Sequence, residues 1–401
     1  MISYPKELSI LFLFQNKSLK NPISIDAIAS ISPLGSSAEE IWNNYLKDSH
    51  HFSKITTTEK SWWAGELPED INNQLLELQQ EDSRYRHLDR SVLMAILTGR
   101  KLKNEPGYDN SNSGLNIGSS RGATELFEKY HKEFIETGKA STYSSPTTTL
   151  GNISSWTAQD LQLEGPEFSH SITCSTGMHS ILNAIAWLES GMRENFIAGG
   201  SEAPLTGFTL AQMDAMKIYA QSDDEFPCRS LYMEKQKNSM ILSEAAGLLS
   251  LSKNPSAKSK AVIRGIGYAN EELKHGASLS REGFCLQKSM KMAIKDTSEE
   301  IDAIVMHAPG TIGGDLAEVN AVKAIFSNDQ PAITSNKWKT GHSFATSGIL
   351  NIQMAILMIQ HQQFITVPFS KFQKKPKQLK NILVNSVGFG GNAVSLLISA
   401  N

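Results

Sequence analysis

Cysteine is scarce in this chain of 401 residues: there are three, Cys174, Cys228 and Cys285. An odd number at wide spacing excludes a disulfide framework and fits a reducing compartment. No Cys-x-x-Cys pair and no His/Cys cluster is present, so no metal is expected. Excess charge is lacking too: 38 Lys and Arg face 41 Asp and Glu, a net charge of −3. That excludes the broad basic surface of a nucleic-acid binder. Long apolar runs are also missing. Leu8–Phe14 is too short to span a membrane. It follows Lys6 and Glu7 and lacks a small-residue cleavage pattern, so it reads as a weak strand and not as a signal peptide. No short-period repeat is visible. The expectation is a cytoplasmic protein with no membrane span and no nucleic-acid partner.

What is present is a 40% hydrophobic chain, long enough for two or three domains or one duplicated domain. Strand-like and helix-like segments alternate. Ile23–Ala29, Leu115–Gly118, Phe196–Gly200, Ala246–Leu251, Ala261–Ile266 and Ile301–Met306 read as strands, the third ending in a tight turn. Ala38–Leu46, Ser91–Leu97, Ser180–Glu189, Leu286–Ile294 and Ser347–Ile359 read as helices. Ile382–Asn385 and Val394–Ser399 flank Gly388–Gly391 as a hairpin would. The alternation predicts an α/β architecture. Ser252–Lys260 is polar with one proline and reads as a boundary. Lys371–Lys380 holds five lysines. It reads as a solvated loop, with a docking patch for an acidic partner as the alternative.

Cys174 carries the most information. An extended run with β-branched Ile172 and Thr173 precedes it, and Met178, Ile181, Leu182 and Ile185 follow at helical spacing. A cysteine in the first turn of a helix meets unpaired N–H groups and the positive end of the dipole, which favour thiolate. Taken alone, a free cysteine is more often a packed core residue. Three further segments weigh against that reading: Val305–Asp315, containing His307; Asn336–His342; and the glycine-rich Asn385–Asn392. Each follows a predicted strand, and their glycines permit sharp turns and close approach to a ligand.

With these segments in order, the chain resembles β-ketoacyl-acyl-carrier-protein synthases of the thiolase superfamily, in the elongating Cys-His-His branch. Cys-Ser-Thr-Gly at 174, Ala-Gly-Gly-Ser-Glu at 198–202, His307 leading to Gly314-Asp315, Lys337-x-x-Thr-Gly-His342 and Gly388-Phe-Gly-Gly carry the resemblance. It implies a five-layered αβαβα fold of two similar halves, 20–255 with the nucleophile and 256–401 with both histidines. It also implies Cys174 as nucleophile and His307 and His342 as the enolate-stabilising pair. Lys337 and Glu318 would orient His307, with a purely structural ion pair as the alternative. Phe389 would gate the acyl pocket, and its N–H with that of Cys174 would form the oxyanion hole. No cofactor is implied, since phosphopantetheine arrives on the acyl carrier protein. The partners implied are that carrier and a second ketosynthase chain, as homodimer or heterodimer.

Chain-initiating relatives would carry Asn at the position of His342, and thiolases a second cysteine near Gly388. Neither is present, so decarboxylative elongation is favoured. The rival is a non-catalytic subunit of the chain-length-factor kind, which usually lacks the nucleophile. The chain departs from the family's His-Gly-Thr-x-Thr, reading His307-Ala-Pro-Gly-Thr311, so one threonine contact to the carrier arm is lost and Thr311 remains. Ser243-Glu-Ala-Ala-Gly247 departs likewise. Upstream of Cys174, Thr147, Thr148 and Thr149 stand where fatty-acid elongating relatives carry bulky apolar residues that help line the acyl pocket across the dimer. They suggest a pocket with polar groups needing partners and hence an aryl-polyene or flexirubin-type substrate. Alternatively, the three hydroxyls satisfy one another or the backbone at a dimer interface.

Overall fold

The structure, a computed structural model, describes residues 19–57, 60–327 and 329–401. The strand expected at Leu8–Phe14 lies outside them. Twelve strands are present among the described residues: β1 Ile23–Ile31, β2 Ser53–Thr57, β3 Lys60–Ala64, β4 Ser113–Gly118, β5 Glu167–Phe168, β6 Asn195–Glu202, β7 Ala245–Ser252, β8 Ala261–Ala269, β9 Ala303–Val305, β10 Ala332–Thr334, β11 Asn381–Gly388 and β12 Asn392–Ser399. β2 and β3 form a separate hairpin. The other ten make one sheet in the order β10-β9-β11-β12-β8-β1-β7-β6-β4-β5.

That order is a duplication. Outward from the centre, the first half runs β1, β7, β6, β4, β5 and the second runs β8, β12, β11, β9, β10. Strand directions repeat as well. β4 lies parallel to β5 and β6, as β9 does to β10 and β11. The remaining pairings in each half are antiparallel. The halves meet where β1 pairs antiparallel with β8, Ile23 opposite Ile263. The chain crosses between them in the loop after Ser252.

Alternation along the strands sorts side chains into three cores. Phe196, Ala198, Leu249, Val305, Val384 and Leu396 face the helices Thr176–Ser190 and Ser347–His361, which fill the middle layer. Ile117, Ile197 and Leu248 face the helices Glu69–Glu81, Arg90–Lys103 and Asn152–Leu161 on one outer side. Ile304, Leu383 and Leu397 face Phe284–Ala293 and Ile312–Phe326 on the other. Helix, sheet, helix, sheet, helix makes five layers, the architecture of the thiolase fold. β1 serves two cores because Asp26 is bulged out of register between Ile25 and Ala27. One extra residue moves Ile23 and Ile25 to the inner face and Ala27, Ala29 and Ile31 to the outer.

Two expectations about the strands are corrected. The strand through Phe196 does not end in a turn at Gly200 but continues to Glu202. Its glycines serve close approach: a Cβ at Gly199 would overlap the Gly247 carbonyl on β7. Extended structure also does not reach Cys174. β5 ends at Phe168, and Thr173 has φ of +48°. No helix among the described residues is long and apolar enough to cross a membrane.

Candidate active site

Cys174 sits in a strained turn. A β-branched residue at positive φ is uncommon and costs on the order of 1–3 kcal/mol, and Thr173 is held there by its neighbours. Its carbonyl accepts from Ser120 Oγ at 2.7 Å and from Thr176 N at 3.2 Å. Its hydroxyl donates to the Phe389 carbonyl at 3.3 Å. The helix begins at Thr176, with Ser175 as N-cap, so Cys174 lies one residue ahead of the cap and not in the first turn. Burial pushes its thiol up to about 12, and the Glu202 carboxylate adds to the rise. The N–H groups of Phe389 and of Cys174 itself, and the Lys337 ammonium, oppose the rise without overcoming it. The first-turn setting expected to favour a thiolate is therefore not the one found, and desolvation works against the charged form. The resemblance's pair of N–H groups does converge on the sulfur.

The glycine-rich hairpin between β11 and β12 reaches this turn from the other half. A Cβ at Gly388 would overlap Thr173 Oγ1 and come within 3.1 Å of Cys174 N, so only glycine allows the approach. Phe389 follows, and its side chain lines the same cavity as Cys174.

His307 leaves β9 and His342 follows the short helix Lys337–Thr340. Their ring centroids are 5.1 Å apart and the planes nearly perpendicular, at 84°. Both rings are buried, and burial holds both neutral, with the Lys337 charge pushing the same way. His342 is lowered to about 3. His342 N donates to the Ile241 carbonyl at 2.6 Å, and its Nδ1 lies 2.8 Å from Ser347 Oγ. Gly341 precedes it at φ +77°, and a Cβ there would come within 2.9 Å of the Ile241 carbonyl.

Glu318 holds His307 by the backbone. Its oxygens accept from His307 N at 3.0 Å, Ala308 N at 2.8 Å and Asn385 Nδ2 at 3.1 Å. Asn351 Nδ2 donates to the Met306 and Asn385 carbonyls. The expected Lys337–Glu318 pair does not form. Lys337 Nζ is held instead by Asn336 Oδ1 and Asn351 Oδ1, each at 3.3 Å. Burial pulls its ammonium down to about 8. Lys337 thus acts as a charge within reach of Cys174, His307 and His342 together, not as a clamp on one of them.

Cys174, His307, His342 and Phe389 share a cavity of about 320 Å³. Met216, Ile218, Met240, Leu279 and Phe344 supply apolar wall, and Thr311 lies at its rim. Thr311 caps the helix Ile312–Phe326 by accepting from Gly314 N at 3.1 Å. Thr147, Thr148 and Thr149 do not line this cavity. They belong to or follow the short helix Ser144–Thr148, and each hydroxyl bonds a carbonyl four residues back, at Tyr143, Ser144 and Ser145. The backbone satisfies these hydroxyls, as the alternative expects; the cavity of one chain does not bear on a pocket lined across a dimer. The lysine-rich segment is an exposed loop, with Lys371 paired to Glu234 and Lys374 to Asp329. Among the described residues no His, Cys, Asp and Glu cluster could hold a metal.

Ser347, Asn351 and the wall residue Phe344 were not singled out from the sequence. A signal existed for the first two. They are polar residues four apart in a helix otherwise rich in Ile, Leu and Met, and so share a face.

The comparisons with known proteins agree with this geometry. Residues 20–257 match the family described as beta-ketoacyl synthase, N-terminal domain, and residues 260–368 match its C-terminal domain. The 3-oxoacyl-(acyl-carrier-protein) synthase 2 of Staphylococcus aureus is 26% identical over 92% of this chain and 99% of its own. That of Vibrio cholerae serotype O1 is 25% identical over 94% and 99%. Among solved structures, a type II PKS acyl-carrier protein in complex with its ketosynthase superposes with a TM-score of 0.79 at 18% identity, covering 95% of this chain and 100% of that one. A ketosynthase in complex with its chain length factor, from Xenorhabdus doucetiae, gives 0.76 at 21%, covering 95% and 98%.

Proposed function

The chain belongs to the beta-ketoacyl synthase family, a family of acyl-transferring condensing enzymes, and from that premise we propose how its own residues perform the condensation. An acyl carrier thioester enters the cavity. Cys174 sulfur bonds to the acyl carbonyl carbon, the carrier's thiol departs, and the proton lost by Cys174 ends on that thiol. The N–H groups of Phe389 and Cys174 meet the tetrahedral oxyanion, each contributing roughly 3–4 kcal/mol if such donors act as they do in hydrolases. Malonyl carrier follows. Its thioester carbonyl accepts hydrogen bonds from His307 and His342, carbon dioxide leaves, and the enolate carbon bonds to the acyl carbon. The Cys174 sulfur departs and takes up a proton. Two neutral imidazoles suit this step, because they donate to the enolate oxygen without a cation's tendency to protonate carbon first.

The observation that carries the reading is the convergence of Cys174 and both histidines, from opposite halves, on one cavity. A non-catalytic subunit has no use for that set. The test is intact-protein mass spectrometry with an acyl carrier: a thioester adduct should form and be absent in Cys174→Ala. An adduct that persists in the variant refutes the assignment.

The reading extends to partners and substrate. The relatives' complexes with an acyl carrier and with a chain length factor support a carrier-borne substrate and a second ketosynthase-like chain, either a copy or a homologue. It places the enzyme in the cytoplasm, needing no cofactor or metal. The acyl group would belong to a specialised pathway of aryl-polyene or flexirubin type. That rests on the altered motif at Pro309 and on Thr147–Thr149, whose segment would help line the acyl pocket across a dimer. A competition between matched unsaturated and saturated acyl carriers decides it: better turnover of the saturated chain returns the enzyme to ordinary fatty-acid elongation.

A further inference from the structure

Each imidazole is buried and neutral, so each has one ring proton to place on one of two nitrogens. Stabilising an enolate needs that proton on the nitrogen that meets the ligand. The two rings are treated differently. His307 Nδ1 is buried with no hydrogen-bond partner. His342 Nδ1 faces Ser347 Oγ at 2.8 Å, and Ser347 Oγ lies 3.4 Å from Ser343 Oγ. All three residues are buried, so no bulk water competes for these bonds.

We propose that Ser347 is a positioning residue whose hydroxyl donates to His342 Nδ1 and so fixes the ring proton on Nε2, the nitrogen left to meet the thioester carbonyl. Ser343 has no other side-chain partner. Its hydroxyl donates to Ser347, whose own proton then has one direction left, toward the imidazole. In the opposite arrangement Nδ1 carries the proton and Nε2 turns a lone pair toward the enolate oxygen, which repels it. Ser347 opens the helix Ser347–His361, with Asn351 one turn further along holding Lys337, the Met306 carbonyl just before His307 and the Asn385 carbonyl on β11. One helix face therefore serves both histidines: Asn351 fixes where one ring stands, and Ser347 fixes which nitrogen of the other is protonated.

The inference rests on the proposed condensation, and its test separates the two. Nitrogen spectra of the full-length protein labelled on histidine, with His342 assigned from the signal lost in His342→Gln, should show the Nε2–H tautomer. Ser347→Ala should lose that single tautomer. Its release of labelled carbon dioxide should fall at least about tenfold in kcat, while KM for malonyl carrier and the rate of Cys174 acylation stay within about twofold. Ser347→Thr, which keeps the hydroxyl, should restore the rate. An Nδ1–H tautomer in the wild-type spectrum, or a Ser347→Ala protein that decarboxylates at the wild-type rate, overturns the proposal. Wild-type protein that never decarboxylates overturns the condensation itself, and the tautomer spectrum still reads Ser347 independently.

Discussion

Cys174 and His342 occupy the same place in the two halves. Each follows the outermost strand of its half, β5 or β10, and each precedes one of the two helices that fill the middle layer. Each is also preceded by a residue at positive φ, Thr173 at +48° and Gly341 at +77°. The difference lies in the chemistry mounted on the shared scaffold. The first half presents a thiol that burial keeps protonated, and the second a neutral imidazole whose far nitrogen is tied to a hydroxyl. On the proposed function, a duplicated sheet divides one reaction: covalent capture at one copy of the turn, stabilisation of the carbanion at the other. The connections after the next strands differ as well. The first half runs from β6 to β7 through a long segment whose Met216, Ile218 and Met240 wall the cavity, whereas the second makes the tight turn that brings Phe389 to Cys174.

The strongest break of this division is Cys174→Ala, which should abolish the acyl adduct and all condensation while leaving His307 and His342 in place. Next come His307→Ala and His342→Ala. Each should still be acylated but lose on the order of 10²–10⁴ in decarboxylation, read as labelled carbon dioxide. Parallel loss of both half-reactions in either variant denies that the halves divide the work.

A smaller effect compares two buried carboxyls, Glu202 at the end of β6 and Glu318 beside His307. Burial raises both to about 7 from an ordinary 4.5. A carboxyl whose folded value is raised supports the fold below its unfolded value, and that support is lost as pH climbs through the folded value. Stability should therefore fall between about pH 4.5 and 7, by on the order of 3 kcal/mol per group. Glu202→Gln or Glu318→Gln should flatten the decline in urea titrations, and an unchanged slope in both would show that neither carboxyl ionises in that window. The smallest effect concerns the turns. Gly341→Ala should cost roughly 2 kcal/mol, because φ there favours glycine and the Ile241 carbonyl leaves no room for a Cβ. Thr173→Gly should cost less, since strain is relieved as chain entropy is lost. Equal losses would mean the turns are not alike.

The three residues that meet in the cavity, Cys174, His307 and His342, were legible in the sequence because cysteine and histidine are chemically rare and stood in glycine-rich turns. The strands were legible from their alternation. The duplication came only with the resemblance, since a repeat held in strand order and direction leaves no residue-level period. Lys337 was placed with Glu318 on the resemblance. The structure spends the Glu318 oxygens on His307 N, Ala308 N and Asn385, and gives the lysine to two amides. Thr147–Thr149 carry a related lesson: a hydroxyl in a sequence looks available, and a single helical turn is enough to satisfy its proton. Ser347 and Phe344 acquire meaning only once folding puts them against His342, 2.8 Å away at Nδ1 for Ser347 and with ring centroids 5.4 Å apart for Phe344.

Phe389 has a consequence for timing. Its ring helps wall the cavity, and its N–H is one of the two donors turned on the Cys174 sulfur. The turn that carries it contains Gly390 and Gly391, both at positive φ. Any backbone swing large enough to clear the ring from a long acyl chain also withdraws the donor. On the proposed function, admission and chemistry would then exclude one another: a chain would have to be fully seated, and the turn closed behind it, before the carbonyl it carries could be attacked.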